Sequence, residues 1–434
     1  MSKRNNYLEQ EPKANSQQPS AIPYGKQNIT QDDIDAVVEV LRSDYLTQGP
    51  KVKEFEEAFA EYVGSEYAVA VSNGTAALHL NCIVLGVKPG DKVITTPITF
   101  AASANCVRYC GGEVVFADIN PETYLLDIDE VRKQLEADDD IVGIIPVDFA
   151  GRCVDMESFR QLADEFDCWI IEDACHAPGG FFENKGGEIV RAGSGRYADL
   201  AIFSFHPVKH IASGEGGMIT TNDKELYEKL LELRTHGITK DSAKFQNEKQ
   251  FAASQLRDSN IENRKSNSEW PGWYMEMQAL GYNYRISDIN CALGLSQLKR
   301  ADEGLRNRHE IASCYYEAFK NLPQITDRNS QFELRTSNFE LRKTKIGHAH
   351  HLYIIEVEDR LGLYNHLREN NIFAQIHYIP CHLMPYYREL GWKYGDMPNA
   401  ENYYSGCISL PMYPTLSEGE QDFIIEAIDK FLNV

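Results

Sequence analysis

The chain has 434 residues and a formal net charge of −22, with 65 acidic against 43 basic side chains. That balance argues against nucleic acid and against anionic membrane surfaces as partners, since both demand cationic faces. Hydrophobic residues make up 43% but never run for 18 in a row, so no segment is expected to span a membrane, and the length suits a large domain plus a smaller one.

The opening MSKRNNYLEQEPKANSQQPS has no apolar core for a signal peptide and reads as a disordered tail over residues 1–20. A capped helix is expected from Thr30, with Ile34, Val37, Val38 and Leu41 at helical spacing. A second runs from Val52 to Val63, turning Phe55, Phe59 and Tyr62 inward, with Gly64 as its stop. Strand YAVAV, a helix from Thr75, strand KVITT, a helix over Ala101–Tyr109 and strand EVVFADI follow. Next come a helix over Ile128–Leu135, strand IVGIIPV, a helix over Met156–Phe166 and strand CWIIED. Strands DLAIFSF and GMITT and a helix over Lys224–Arg234 close the series. Near-continuous apolar strands separated by helices predict an α/β fold, with a mostly parallel sheet buried on both faces.

Two polar segments break this rhythm. Ser242–Glu269, rich in Asn, Gln, Lys, Arg and Ser, reads as an exposed loop or mobile lid inserted into the large domain, and Gln331–Lys345 as a second insertion. From Asn307 the pattern shifts to α+β, with strands HHLYIIEV and IFAQIHY and helices Leu361–Asn370 and Glu418–Leu432. The expected division is therefore 21–306 for the large domain and 307–434 for the small one. Ten scattered cysteines without a CxxC pair suit a reducing, cytoplasmic setting.

Three segments carry chemistry. In FSFHPVKHIASGEGG, Lys209 follows an apolar strand and precedes a Gly-rich turn, a setting suited to a Schiff-base nucleophile, with Ser204 placed to offer its hydroxyl to a phosphate. In CWIIEDACHAPGG, Asp173 ends a buried strand, where open α/β sheets place ligand contacts and a carboxylate can hold a ring nitrogen protonated. Asn73-Gly74-Thr75 sits at a helix start, where free N–H groups and the helix dipole favour an anion. Taken singly, each also has a plain reading as a surface lysine, a capping aspartate or an ordinary strand-to-helix turn. HAHH, His348–His351, leads into a strand and puts only His348 and His350 on one face, which falls short of a metal site. The EADDD run, Glu136–Asp140, reads as a solvated turn.

In this order the motifs resemble the DegT/DnrJ/EryC1/StrS family of sugar aminotransferases, which use pyridoxal 5′-phosphate (PLP) on the aspartate-aminotransferase fold (fold type I). LTQGP, SNGTAALHL, TTPITFAASANC, EDACHA, FSFHPVKHIASGEGG, RTHG and LGYNYRISDINCALGLSQL carry the resemblance, which spans Ala21–Val434. It implies a catalytic Lys209 on the cofactor carbonyl, Asp173 on the pyridine nitrogen, His176 near the ring and Phe100 stacked upon it. It places the phosphate on Gly74, Thr75 and Ser204, with Asn283 reaching it from the other subunit of a homodimer with shared active sites. Arg285 is either a substrate contact or a structural ion pair, and Phe100 has a core-packing alternative. Tyr24, Lys26, Thr47, Arg234, His348 and His377 are further candidate substrate contacts. With Arg42, the basic residues Lys26, Arg234 and Arg285 are candidates to offset the acidic background.

VDFAG, FSFHPVK and RTHGI point within the family to amination at C4 of UDP-2-acetamido-2,6-dideoxy-β-L-arabino-hexos-4-ulose in pseudaminic acid biosynthesis, with L-glutamate as donor. A dTDP- or GDP-linked 4-keto-6-deoxy sugar is the alternative substrate. Some relatives are dehydratases with histidine in place of the lysine, a reading that Lys209 opposes although His206 and His210 flank it. A non-catalytic PLP-binding regulator is the alternative from another class.

Overall fold

The computed structural model describes residues 21–247, 270–331 and 346–433. The expected tail 1–20, residues 248–269 of the first polar segment and residues 332–345 of the second lie outside the described residues.

Seven strands build the central sheet: β1 Tyr67–Val71, β2 Lys92–Thr95, β3 Glu113–Phe116, β4 Ile141–Ile145, β5 Trp169–Asp173, β6 Leu200–Ser204 and β7 Gly217–Thr221. Their spatial order is β1-β7-β6-β5-β4-β2-β3, and β7 alone runs antiparallel to its neighbours β1 and β6. The strand centres are apolar because helices cover both faces; Val69, Ile94, Ile144, Ile171, Ile202 and Ile219 are fully buried. The fold is thus the expected α/β, mostly parallel sheet of the fold-type-I class.

The helices α1 Gln31–Leu41, α2 Pro50–Val63, α3 Gly74–Val84, α4 Ala102–Tyr109, α5 Ile128–Ala137, α6 Met156–Glu165 and α7 Lys224–Arg234 follow the expected order. Their starts obey capping chemistry. Thr30 and Asp33 form a capping box on α1, Pro50 occupies the first turn of α2, and Asn73, Asp127, Asp155 and Asp223 accept from first-turn N–H groups. Gly64 ends α2 in the left-handed conformation, φ 83°, which costs a glycine little.

A second hydrophobic cluster gathers Tyr315 and Phe319, Tyr353, Leu363, Ile372, Ile408, Ile424 and Ile428. It packs around an antiparallel sheet of β8 Ile325–Thr326, β9 Tyr353–Val357 and β10 Cys407–Leu410. The expected strand IFAQIHY is shorter than its pattern suggests. Only Ile372–Phe373 is a strand, parallel to Ile22–Pro23. Gln375 then exchanges backbone hydrogen bonds of 3.1 and 2.7 Å with Ser409, so the chain leaves one pairing for the edge of another sheet. Ile22 is itself part of the second cluster, and the helix beginning at Ala301 runs unbroken to Phe319, across position 306.

One glycine shows how tightly the sheet meets the first βα turn. A Cβ at Gly217 would lie 2.6 Å from the Asn73 carbonyl carbon and 2.8 Å from the Gly74 nitrogen. Gly217→Ala is expected to lower stability by about 1–3 kcal/mol through this overpacking. Thermal melting of the apo protein checks it, and an unchanged melt would mean the turn can give way freely.

Candidate active site

The C-terminal ends of β5 and β6 and the turn after β1 converge, as the strand-end rule for α/β sheets requires. Asp173, 5% exposed, ends β5. Its Oδ2 accepts 2.7 Å from the Ser103 hydroxyl and its Oδ1 accepts 3.2 Å from the Cys175 N–H. Ser103 is in turn 2.8 Å from the Thr99 hydroxyl, so helix α4 and its preceding loop fix the carboxylate's orientation. Its sequence-level alternatives, turn cap and ligand group, therefore coexist: one oxygen caps the turn and the group stays at the strand end.

Lys209 stands five residues beyond β6, in a turn where its own N–H donates 2.8 Å to the His206 carbonyl. Burial lowers its ammonium below the ordinary lysine range, while the charges of Cys175 and Asp173 act the other way. An amine in this position is easier to deprotonate than a free lysine and so closer to a usable nucleophile and base.

Beside it lies a narrow cup. Asn73 caps α3 by accepting 2.8 Å from the Ala76 N–H, which leaves the N–H groups of Gly74 and Thr75 at the helix start. A Cβ at Gly74 would sit 3.2 Å from Ser204 Cβ and 3.6 Å from both Ser204 Oγ and Cys175 Sγ. Only a bare backbone leaves this approach clear, and a helix N-terminus with an adjacent hydroxyl suits a phosphate.

Aromatic groups edge the cup. Phe100 is 63% exposed, which removes the core-packing alternative for it. Its ring is 6.4 Å from that of Tyr378, which stacks at 6.4 Å on His176. The Ala150 N–H donates 3.3 Å to His176 Nδ1, which places the ring hydrogen of a neutral His176 on Nε2, 3.5 Å from the Tyr378 hydroxyl. Burial, then the Lys209 charge, holds His176 well below the ordinary imidazole range. His377 joins this edge at 5.2 Å from the Tyr24 ring, its Nδ1 2.9 Å from the Ser409 hydroxyl, and burial pushes its pKa down to about 3. The Tyr24–Gly25 segment crosses near the lysine turn, with the Gly25 Cβ position 3.5 Å from Val208.

Other expected contacts lie elsewhere. Arg234 is committed to structure: its Nη1 is 2.5 Å from Glu56 Oε1 and 2.6 Å from the Ala70 carbonyl, where it ties α7 to α2 and β1. His348 faces inward rather than toward an open mouth. It is buried, its ring stacks on His350 at 4.0 Å, and its Nδ1 accepts 2.9 Å from the His350 N–H. Among the described residues no group of three His, Cys, Asp or Glu side chains is disposed to hold a metal ion. Lys26, Thr47 and Asn283 are exposed, Thr47 bridging to Ser287 and Asn283 to Thr235. Arg285 lines a cavity of about 210 Å³ with Gln48, Lys53, Glu56 and Arg234, apart from the Lys209 neighbourhood. Sequence reading gave no role to Ser103, Tyr378 or Asp148; each comes from a segment remote in the chain, and no spacing pattern marks it.

The sequence profile of the DegT/DnrJ/EryC1/StrS aminotransferase family matches residues 27–429. The chain belongs to this family. It is 36% identical over 421 residues to the UDP-4-amino-4,6-dideoxy-N-acetyl-β-L-altrosamine transaminase of Campylobacter jejuni, covering 95% of this chain and 97% of that protein. The structure of PseC from Helicobacter pylori, an aminotransferase of pseudaminic acid biosynthesis, superposes with a TM-score of 0.80 at 29% identity, covering 95% of this chain and all of that one. A structure from Streptococcus pneumoniae, described as the PLP form of the sugar aminotransferase Spr1654, superposes with a TM-score of 0.79 at 28% identity over 95% and 99% of the two chains. The protein is a sugar aminotransferase of a PLP-dependent family.

The placement of Arg234 generates a test. Arg234→Ala leaves Glu56 buried beside the Ala70 N–H and without its cation, and should cost about 3 kcal/mol in chemical denaturation while leaving the KM values roughly unchanged. A large rise in KM with unaltered stability would return Arg234 to the substrate site.

Proposed function

We propose that this aminotransferase moves an amino group from L-glutamate to C4 of a nucleotide-linked 4-keto-6-deoxy sugar, with UDP-2-acetamido-2,6-dideoxy-β-L-arabino-hexos-4-ulose as substrate, in the cytoplasm. The observation that carries the reading is the meeting of Lys209, Asp173 and the Gly74–Ser204 cup at one sheet end. The likeness to the Campylobacter transaminase and to PseC supports the substrate.

The residues fit PLP. The cup that a Cβ at Gly74 would fill offers two helix-start N–H groups, the Thr75 hydroxyl and Ser204 to a phosphate. Asp173, held by Ser103 and Cys175, presents a buried carboxylate to a ring nitrogen. Phe100 leaves its ring free to stack, and His176 has an Nε2 hydrogen to donate to a ring oxygen. When bound, PLP supplies a carbonyl for an amine and a ring that withdraws electrons from the carbon losing its proton.

Lys209 would hold PLP at that carbonyl and, once displaced by the donor's amine, would take the α-proton of glutamate, which leaves as 2-oxoglutarate. In the second half-reaction it would deliver a proton to C4 of the sugar, whose ketone oxygen leaves as water in exchange for the nitrogen and electron pair that glutamate gave. Its lowered ammonium pKa favours the neutral form these tasks need. Asp173 keeps a positive charge on the ring nitrogen. The half-buried Tyr24 and the buried His377 beside it would orient the sugar. Asn283, exposed on the surface, would reach the phosphate of a partner's site in a homodimer. The large exposed apolar side chains of Trp273, Met275, Met277 and Leu280 just before it suit such an interface.

One pocket serving two substrates in turn predicts ping-pong kinetics, with parallel double-reciprocal lines. In the PLP-loaded protein, the visible absorption band should bleach with glutamate and return with the UDP-ketosugar. A band that bleaches but does not return would remove that sugar and keep the aminotransferase. Lys209→Ala should lower turnover by at least about 10³-fold and remove the glutamate-induced bleaching. Retained turnover in that variant would overturn the role of Lys209.

A further inference from the structure

One residue before Asp173, Glu172 points into the core, 4% exposed, and Asp148 beside it is fully buried. Each has one oxygen taken by a backbone N–H: Glu172 Oε1 accepts 3.1 Å from Gly193, and Asp148 Oδ1 accepts 2.8 Å from Val154. Asp148 Oδ2 has no conventional donor at all, and the parallel bridge of Val147 to Asp173 sets Asp148 and Glu172 on the same face of adjacent segments, where the two buried carboxyl groups face each other. Two ionised carboxylates carry no hydrogen to place between them. Buried like charges this close cannot both persist, and the stable arrangement is a carboxylic acid donating to a carboxylate.

The pair also sits at a junction. The Asp148 N–H donates 3.0 Å to the Asp173 carbonyl, and the Asp173 N–H donates 2.9 Å to Pro146. Asp148 starts the short turn Phe149–Gly151, whose Ala150 adopts φ 61° and supplies the N–H that bonds His176 Nδ1. Holding Asp148 therefore holds both the strand end that carries Asp173 and the donor that selects the His176 tautomer.

We propose that Asp148 and Glu172 share a single proton, and that this acid pair is the positioning unit for Asp173 and His176. It fixes the strand end that presents Asp173 to the cofactor nitrogen and secures the turn behind His176. The roles of those two residues rest on the function proposed above; the shared proton does not. The titratable groups facing the pair are Asp173 from the same strand, Cys153 from the following turn and Cys175 from the loop beyond. None of these is a cation, so nothing among them compensates a second negative charge.

Burial raises both acids, Glu172 to about 7 and Asp148 well above its usual range. A raised acid contributes stability that is fully present below its unfolded pKa and is lost as pH climbs through the folded one. The pair's contribution should therefore fade between about pH 5 and pH 8.

The test uses the full chain with three variants. Asp148→Asn keeps the Val154 bond and can donate to an ionised Glu172, but removes the Asp148 acid and leaves Glu172 as the pair's one titrating group. Glu172→Gln does the reverse, and Asp148→Ala removes the contact altogether. Infrared spectroscopy of the cofactor-free wild type at pH 8 should show a buried protonated carboxylic acid, absent from Asp148→Asn. Melting of the wild type should fall more steeply with pH than that of Asp148→Asn. Asp148→Ala should weaken PLP binding about tenfold, with Asp148→Asn restoring it. Absence of the acid band in the folded wild type overturns the shared proton, and wild-type PLP affinity in Asp148→Ala overturns the positioning role. A wild type that shows the band but never binds PLP would overturn both the positioning role and the proposed function, and leave the shared proton standing.

Discussion

Everything at this site depends on keeping a half-buried, desolvated amine near a carboxylate without letting the pair become a closed salt bridge. Desolvation is the largest influence on Lys209, and it favours the neutral amine. The Asp173 charge opposes that, but its oxygens are already engaged by the Ser103 hydroxyl and the Cys175 N–H. Had the carboxylate been free to turn toward the lysine, the ion pair would have raised the amine's pKa and removed its usefulness as a base. The hydroxyl relay from Thr99 through Ser103 is thus part of how the lysine stays reactive.

The sheet supplies the precision this needs. Strands β5 and β6 are parallel neighbours, in register from Ile171 beside Leu200 to Asp173 beside Ile202, so the two segments that carry the acid and the lysine leave the sheet together. The antiparallel β7 then brings Gly217 against Asn73 and Gly74, which presses the first βα turn toward Ser204. The phosphate cup is a consequence of these close backbone approaches rather than of any single strong side-chain contact. Fixed N–H groups at such a helix start suit an anion, a local feature set against the chain's net charge of −22.

The sequence made part of this legible. Strand and helix order could be read because apolar runs and caps obey local rules, and Lys209, Asp173, Gly74 and Ser204 could be singled out because each lies at a strand end, at a helix start or in the turn that follows a strand. Arg234 could not be read correctly, since its partner Glu56 lies 178 residues away and a basic residue at a helix end looks alike whether it is paired or free. His348 misled for a similar reason: its segment leads into a strand, but the turn at Gly151 lies against the backbone of His350 and His351 and encloses it. Ser103 and Asp148 lie inside motifs that carry the resemblance but had no role there, and Tyr378 lies in none of them. Their importance arises only when separate loops meet around the end of β5.

The most direct measurement is the titration of the Lys209 amine in the cofactor-free protein, by competitive labelling of lysine amines across pH with peptide-level mass spectrometry. The labelling midpoint of Lys209 should fall below the ordinary lysine range, and Ser103→Ala, by freeing Asp173, should raise it. A midpoint at the ordinary lysine value, unmoved by Ser103→Ala, would contradict the account of how this site keeps its amine reactive.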